Sequence, residues 1–366
     1  MLGLLGLMGV VMSGLLVDSL FSGSSDQSDD SSEDRPDVLI GAAHGGELAA
    51  GSILDWLEEP EANETEDTND NLPDSDDLPP EVEPGRLITG TEGDDILQGR
   101  GGEDTIIGQD GIDQILGRDG ADWIDAGDGD DHVTAGTGDD TVTGGSGDDN
   151  LQGDAGNDQI SGGDGADVVA GHDGDDSLTG GAGNDELLGG TGDDRLTDDQ
   201  GDDWLAGGAG NDLIAGGADS DTLDGGAGDD TLIGHDAAAG NDGAVDYLNA
   251  GTGDDVLVLG ANDVATGDDG QDSFVLGDWL GGGGFAHIQD YNPAEDQIVL
   301  VYDPASHPDP DLLLVRDGES DDVTVFFDGV PLAMVQNGAD LTPADIHLSP
   351  NGSLYPSAFH TAGFAA

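Results

Sequence analysis

The chain has no lysine and no cysteine, and its only strongly basic residues are six arginines among 366 positions. Without cysteine there is no disulfide scaffold, no thiolate metal site and no thiol nucleophile. Without a basic surface nothing is available to meet a phosphate backbone, which argues against nucleic acid as a partner. Aromatics make up 4% and hydrophobic residues 35% of the sequence, too little for an ordinary compact core in a chain of this size. Glycine and acid take their place: 66 glycines, and 82 Asp and Glu for a formal net charge of −76. Such a charge opposes any compact state by self-repulsion unless counterions offset it. Multivalent cations are therefore the natural partner.

Catalytic signatures are missing too. The sequence holds no H-E-x-x-H, no G-x-S-x-G elbow and no P-loop. Acidic pairs such as Asp94-Asp95 recur in unit after unit, so they read as a structural repeat rather than as a glycosidase dyad. No enzyme is expected.

What is present is a nine-residue repeat. Divided into nines from Leu87, the chain places Asp at the ninth position of sixteen consecutive rows: Asp95, Asp104, Asp113, Asp122, Asp131, Asp140, Asp149, Asp158, Asp167, Asp176, Asp185, Asp194, Asp203, Asp212, Asp221 and Asp230. The second position is always aliphatic, from Ile88 and Leu97 to Leu223 and Leu232, and the seventh is almost always Gly. No insertion breaks the frame until Asp236. It then slips through AAAGNDGAV and recovers in weaker units, with Asp246, Asp255, Asp263 and Asp272 spaced nine, eight and nine apart. A shifted frame of this kind reads as a surface bulge or the seam before a capping unit.

Around the array the texture changes. Residues 1–21 open with an apolar, uncharged run over 1–17 that carries no basic n-region. Membrane contact or anchoring through 1–17, an atypical export signal, or a helix with neither role all stay open. Residues 22–85 are acidic, with Ser, Asn and five prolines from Pro60 to Pro84, a composition expected to form a disordered linker. Residues 87–236 are the array and 237–275 its degenerate continuation. Residues 276–348 are expected to be a β-rich cap and 349–366 a flexible tail. Candidate strands in and just before the cap are Ser273–Leu276, Phe285–Ile288, Gln297–Val301, Leu312–Val315, Val323–Phe327, Leu332–Val335 and Ile346–Leu348, separated by turn signals such as Asp317-Gly318 and Asn337-Gly338.

One unit, Gly144 to Gln152, shows how the repeat works. Its last three residues, Asn150-Leu151-Gln152, can be a short strand with Leu151 turned to one side, and the six before them a turn whose glycines supply positive φ. Two units then close one flattened coil, and seventeen units give roughly eight coils at strand spacing. One inward side chain per unit is a thin core, and it cannot by itself offset the entropy of ordering nine residues. A disordered Asp-Gly tract is the bland alternative, but disorder has no need of an unbroken aliphatic column. Calcium supplies what the core lacks. It takes six to eight oxygens, mixes carboxylates with backbone carbonyls and tolerates irregular geometry. Magnesium wants a strict octahedron, and zinc finds neither cysteine nor paired histidine here.

The pattern G-G-x-G-x-D-x-U-x, in which U is aliphatic, resembles the RTX (hemolysin-type) calcium-binding repeat over roughly 87–275. The resemblance implies an all-β fold: a right-handed parallel β-roll solenoid capped by the C-terminal β-rich region. It also implies multiple Ca2+ ions held between loops of units n and n+2 on one edge, by motif Asp carboxylates and loop carbonyls. The candidate metal ligands are the sixteen ninth-position aspartates and Asp255. Several loops depart from the motif: Ala126 and Ala135 replace its first Gly, and Arg100, Gln109, Arg118 and His172 its second. Asp198-Asp199 replaces both, and Asp219 the last. The ligand assignment therefore carries over least well near Asp203 and Asp221. Ile288 to Leu300 resembles the segment that closes the roll in secreted members, where the C-terminal region carries the signal for the type I secretion machinery. The expected function is that of a secreted, extracellular calcium-binding protein that folds on export. A membrane-anchored surface adhesin, spacer or matrix component is the alternative, and an accessory module of an enzyme a further one.

Overall fold

The computed structural model describes residues 84–234, 244–280, 284–318 and 320–350. The apolar segment 1–21, nearly all of the acidic linker, the insertion at 235–243 and almost all of the C-terminal tail lie outside the described residues. Among those described there is no α-helix. Two short 3₁₀ turns, Asp278–Leu280 and Pro343–Asp345, interrupt the strands, and among the described residues no helix is long and apolar enough to cross a membrane.

Successive strands alternate between two sheets, one of thirteen strands and one of fourteen. Strand Asn150–Ala155 pairs in parallel with His132–Thr137 on one side and Val168–Asp173 on the other, with Leu151 opposite Val133 and Val169. The strand between them in sequence, Gln159–Asp164, lies in the other sheet and pairs with Thr141–Ser146 and Ser177–Ala182. A coil is thus eighteen residues, two units, as the repeat implies. This parallel solenoid makes about ten turns over the repeats and continues past them.

The period of two along each strand explains the packing. In Asn150–Ala155 the second and fourth residues are buried and their neighbours partly exposed. The second-position aliphatics of both sheets meet in one continuous core, from Leu97 through Leu151 and Leu178 to Leu257 and Phe274. Strands in regular units run six residues, not the three expected, because the ladder pairing continues through the first loop positions. Only the short Gly-x-Asp segment, such as Gly156-Asn157-Asp158, turns the corner.

Irregular units are absorbed in register. Leu223 pairs with Leu248 across the insertion, Leu257 with Phe274, and Phe274 with Ile298. The apolar face stays inward because a one-residue slip would turn it to solvent. All seven C-terminal strands expected from the sequence form, but they do not stand apart from the roll. Gln297–Tyr302 and Ile346–Pro350 extend one sheet, and Ala286–Ile288 and Val330–Val335 the other. Only Val323–Phe327 reverses direction; it pairs antiparallel with Val330–Val335 and with Leu312–Arg316, and this ribbon ends the fourteen-stranded sheet. A second apolar cluster, Ala215, Ile233, Val258, Val275, Val299 and Val301, forms on the far side of the thirteen-stranded sheet with Trp279 packed on it. The Trp279 indole N–H donates to the Leu259 carbonyl at 3.0 Å.

Candidate metal centre

The corners of the coil place every ninth-position aspartate in one of two columns, one along each edge. Each carboxylate reaches its neighbour in the same way. The Asp131 amide donates to Asp149 Oδ1 at 2.8 Å, the Asp149 amide to Asp167 Oδ1 at 2.8 Å, and the Asp167 amide to Asp185 Oδ1 at 2.7 Å. On the other edge the link runs from Asp104 to Asp122, Asp140, Asp158 and Asp176. It goes on through Asp194, Asp212 and Asp230 to Asp255. Every candidate ligand is therefore brought into a column. Asp95, at the free end, differs: it is half-buried, and its Oδ2 accepts from the Thr91 amide and hydroxyl.

A second ladder runs the opposite way at the eighth position. There the later amide donates to the earlier side chain: Asp148 to Asp130, Asn157 to Asp139, Ala166 to Asp148 and Asp175 to Asn157, at 2.9–3.1 Å. These side chains are exposed, and they lock each corner to the next from outside. Asp or Asn at the eighth position, present in most rows, carries this ladder.

The ninth-position carboxylates have a spare oxygen. From Asp113 to Asp230, and at Asp255 and Asp272, Oδ1 is bonded while Oδ2 is buried with no hydrogen-bond partner. Asp149 is 2% exposed. Its Oδ2 occupies the room beside the fourth-position glycine: a Cβ at Gly144 would collide with it and stand 2.7 Å from the Gly162 carbonyl oxygen of the next coil. A buried carboxylate oxygen without a partner is costly. At Gly108, Gly117, Gly162, Gly189 and Gly225, too, a carbonyl oxygen of the next coil shares that spot with the aspartate Oδ2, and carboxylate with carbonyl is the hard oxygen donor set calcium takes. The residues present therefore fit calcium. Without a cation, burial pushes the carboxyls of Asp140, Asp149, Asp194, Asp221 and Asp230 up to about 7, even though the amide each accepts from lowers it. The negative neighbours in the column raise it further.

The motif departures sort by position. Gln109, Arg118, Asp154 and His172, all at the fifth position, hold φ of +91°, +91°, +73° and +83°, and Asp219 at the seventh holds +77°. The corner imposes the left-handed conformation on these side chains, whereas Arg100 and Asp199, also at the fifth position, do not adopt it. Ala126 and Ala135 carry no such strain: the fourth position does not take positive φ, and both methyls are fully buried in the core.

Asp198 is the departure with the largest effect. It shortens its strand to Arg195–Thr197 and turns its carboxylate inward, 6% exposed. Asp198, Asp185 and Asp203 then offer carboxylate oxygens that all lie within 4.8 Å of one another. Burial, and after it the charges of Asp203 and Asp185, push Asp198 up to about 8, against the lowering by the Gly181 and Asp199 amides. The sequence marks this loop only as a defect. It also passes over Asp296, whose Oδ1 accepts from the Asp272 amide at 3.1 Å and so extends a column into the C-terminal region. Asp246, Asp263 and Asp272 continue the columns as their spacing suggests, with links at 3.0, 3.3 and 3.1 Å. The missed signal at Asp296 is local: Asp296-Gln297-Ile298 repeats the Asp-x-aliphatic corner.

Residues 87–115, 107–142, 143–178, 161–196, 197–232 and 212–261 match the family model of the RTX calcium-binding nonapeptide repeat (4 copies). No curated protein sequence matches the chain significantly. Among solved structures it is similar to the extracellular lipase LipA of Serratia marcescens, at 19% identity and a TM-score of 0.17. That match covers 63% of this chain and 40% of the lipase chain, so the chain spans less than half the lipase's length.

Proposed function

Residues 87–261 are RTX calcium-binding nonapeptide repeats, and from that premise we propose that the chain is a secreted protein without a catalytic domain whose array folds when it meets calcium outside the cell. The observation that carries this reading is the column of buried, unpartnered Oδ2 atoms along each edge. Asp113 to Asp230, with Asp255, would hold the ions through those oxygens, together with the fourth-position carbonyls beside them; Asp104 and Asp95 would do so at the open end. Calcium supplies the positive charge that the column lacks. The chain's own residues do the rest: the eighth-position ladder orients each corner, and Oδ1 fixes the carboxylate so that only Oδ2 faces the ion.

A net charge of −76 on the chain keeps the metal-free array extended, a state suited to export through the type I secretion machinery. Calcium sites of extracellular modules fill at about 10⁻⁴–10⁻³ M, above cytosolic calcium and within reach of the outside. The binding free energy is then folding free energy. Circular dichroism of purified protein tests this directly. Calcium should convert a disordered spectrum to a β one, and EDTA should reverse it. A spectrum that stays unchanged up to about 10 mM calcium, tenfold above the affinity range of such modules, sinks the reading.

A further inference from the structure

The motif places glycine at the fourth position, yet unit 195–203 has Asp198 there. Its carboxylate is anchored like a ligand: Oδ1 accepts from the Gly181 amide at 3.0 Å and from the Asp199 amide at 2.7 Å. Asp185 and Asp203, one coil apart on the same edge, are anchored through Oδ1 to the Asp167 and Asp185 amides at 2.7 and 2.8 Å. All three Oδ2 atoms are buried and have no hydrogen-bond partner, on residues 3%, 6% and 4% exposed for Asp185, Asp198 and Asp203. They converge on one spot: a Cβ at Gly180 would collide with Asp198 Oδ2 and stand 2.7 Å from Asp185 Oδ2. Among the described residues this is the one place where three potential ligand side chains come so close.

We propose that Asp185, Asp198 and Asp203 form a three-carboxylate site for a hard divalent cation, calcium, that fills at lower concentration than the motif loops. Oxygen-only donors select a hard ion over zinc or copper. Affinity for calcium rises with the number of ligand charges and with rigidity. A motif corner draws on the columns alone, whereas this one adds a third carboxylate held by two amides. The bound ion would tie two successive coils together in the middle of the array, where folding of a solenoid can nucleate and spread in both directions. Asp185 and Asp203 are motif aspartates and only Asp198 lies outside the motif, so the site's rank relative to the loops rests on the reading that those loops bind calcium.

The test uses the full chain and counts bound calcium by equilibrium dialysis across a calcium series, with circular dichroism on the same samples. Wild type should hold one ion at a calcium concentration about tenfold or more below the midpoint of the β transition, consistent with the gain from added ligand charge. Asp198→Asn keeps the shape and loses the charge, and should lose that early ion. Asp198→Gly restores the motif glycine, keeps the array's transition observable if the Asn chain does not fold, and should also lose the ion. An early ion retained in both variants overturns the assignment, as does a wild-type transition with no ion bound ahead of it. A single early ion with no later transition would uphold this site and overturn the reading of the array, so the two fail separately.

Discussion

Positions four and five of the unit are both glycine in the motif, yet they ask different things of a side chain. At position five φ is positive and a Cβ faces the backbone of the preceding coil; a Cβ at Gly147, two places on, would likewise meet the Gly129 carbonyl. A residue such as His172, at φ +83°, therefore carries left-handed strain of roughly 1 kcal/mol. His172→Gly should raise the urea midpoint of the calcium-saturated protein by an amount equivalent to about that energy. Ala135→Gly should do the reverse and cost about 1–2 kcal/mol, because its backbone gains freedom in the unfolded chain and a fully buried methyl is lost. Shifts of equal sign in the two variants would refute the distinction between the positions. Nothing in the sequence separates them, since both are written as glycine. Asp198 was illegible for the same reason: a motif reads a departure as a loss, and only burial and convergence reveal that the departing side chain has partners.

At the scale of the strand and its corner, the column behaves as one titrating object. From Asp122 to Asp230 its members sit above their ordinary value of 3.8, several at about 7, because burial and the charge of the neighbours disfavour the ionised form. A folded-state pKa raised above the unfolded one adds stability that is fully present below about pH 4 and is lost as pH rises through 7. Protons therefore stand in for cations. Calcium-free protein should gain β-sheet ellipticity on acidification from pH 8 toward 4, and the calcium needed for folding should show protons released on binding at pH 6–7. Circular dichroism in EDTA and calorimetry in buffers of different ionisation enthalpy check the two halves. No gain of structure in acid would mean that the carboxylates stay ionised as the array forms. The strand's existence was plain from the aliphatic column of Ile106, Leu151 and Leu178. Its length was not: the positions after it, such as Gly153-Asp154-Ala155, look like turn residues, yet Asp154 and Ala155 pair with the coils on either side.

For the whole molecule the question is how a quasi-one-dimensional stack ends. Each coil contacts only its neighbours, so a solenoid needs caps to cover its last apolar layer and its open strand edges. The sequence signals the change of texture after Ser273 but not its meaning, because the nine-residue spacing is lost while the pairing is kept: Phe274 lies against Ile298, and Ile298 against Ile346. The C-terminal strands are thus further coils without the repeat's Asp-Gly corners, followed by the antiparallel ribbon Leu312–Phe327. Their core owes little to cations. It holds Phe327, Leu332, Val335, Leu341 and Ile346, and ring contacts such as Tyr302 with Phe327 at 5.6 Å. This end can therefore hold its shape at calcium concentrations that leave the array unfolded, and it offers the array's last coils a preformed edge. A chain ending at residue 295 lacks five strands, from Gln297–Tyr302 to Ile346–Pro350, and leaves Ser273–Gly277 and Ala286–Ile288 exposed. Its array should need several-fold more calcium to reach half-maximal β signal, and the transition should broaden as the ends fray. The measurement is a circular dichroism titration of the two chains side by side. An unchanged midpoint in the shortened chain would show that the array ends itself and that the C-terminal strands serve some purpose other than capping.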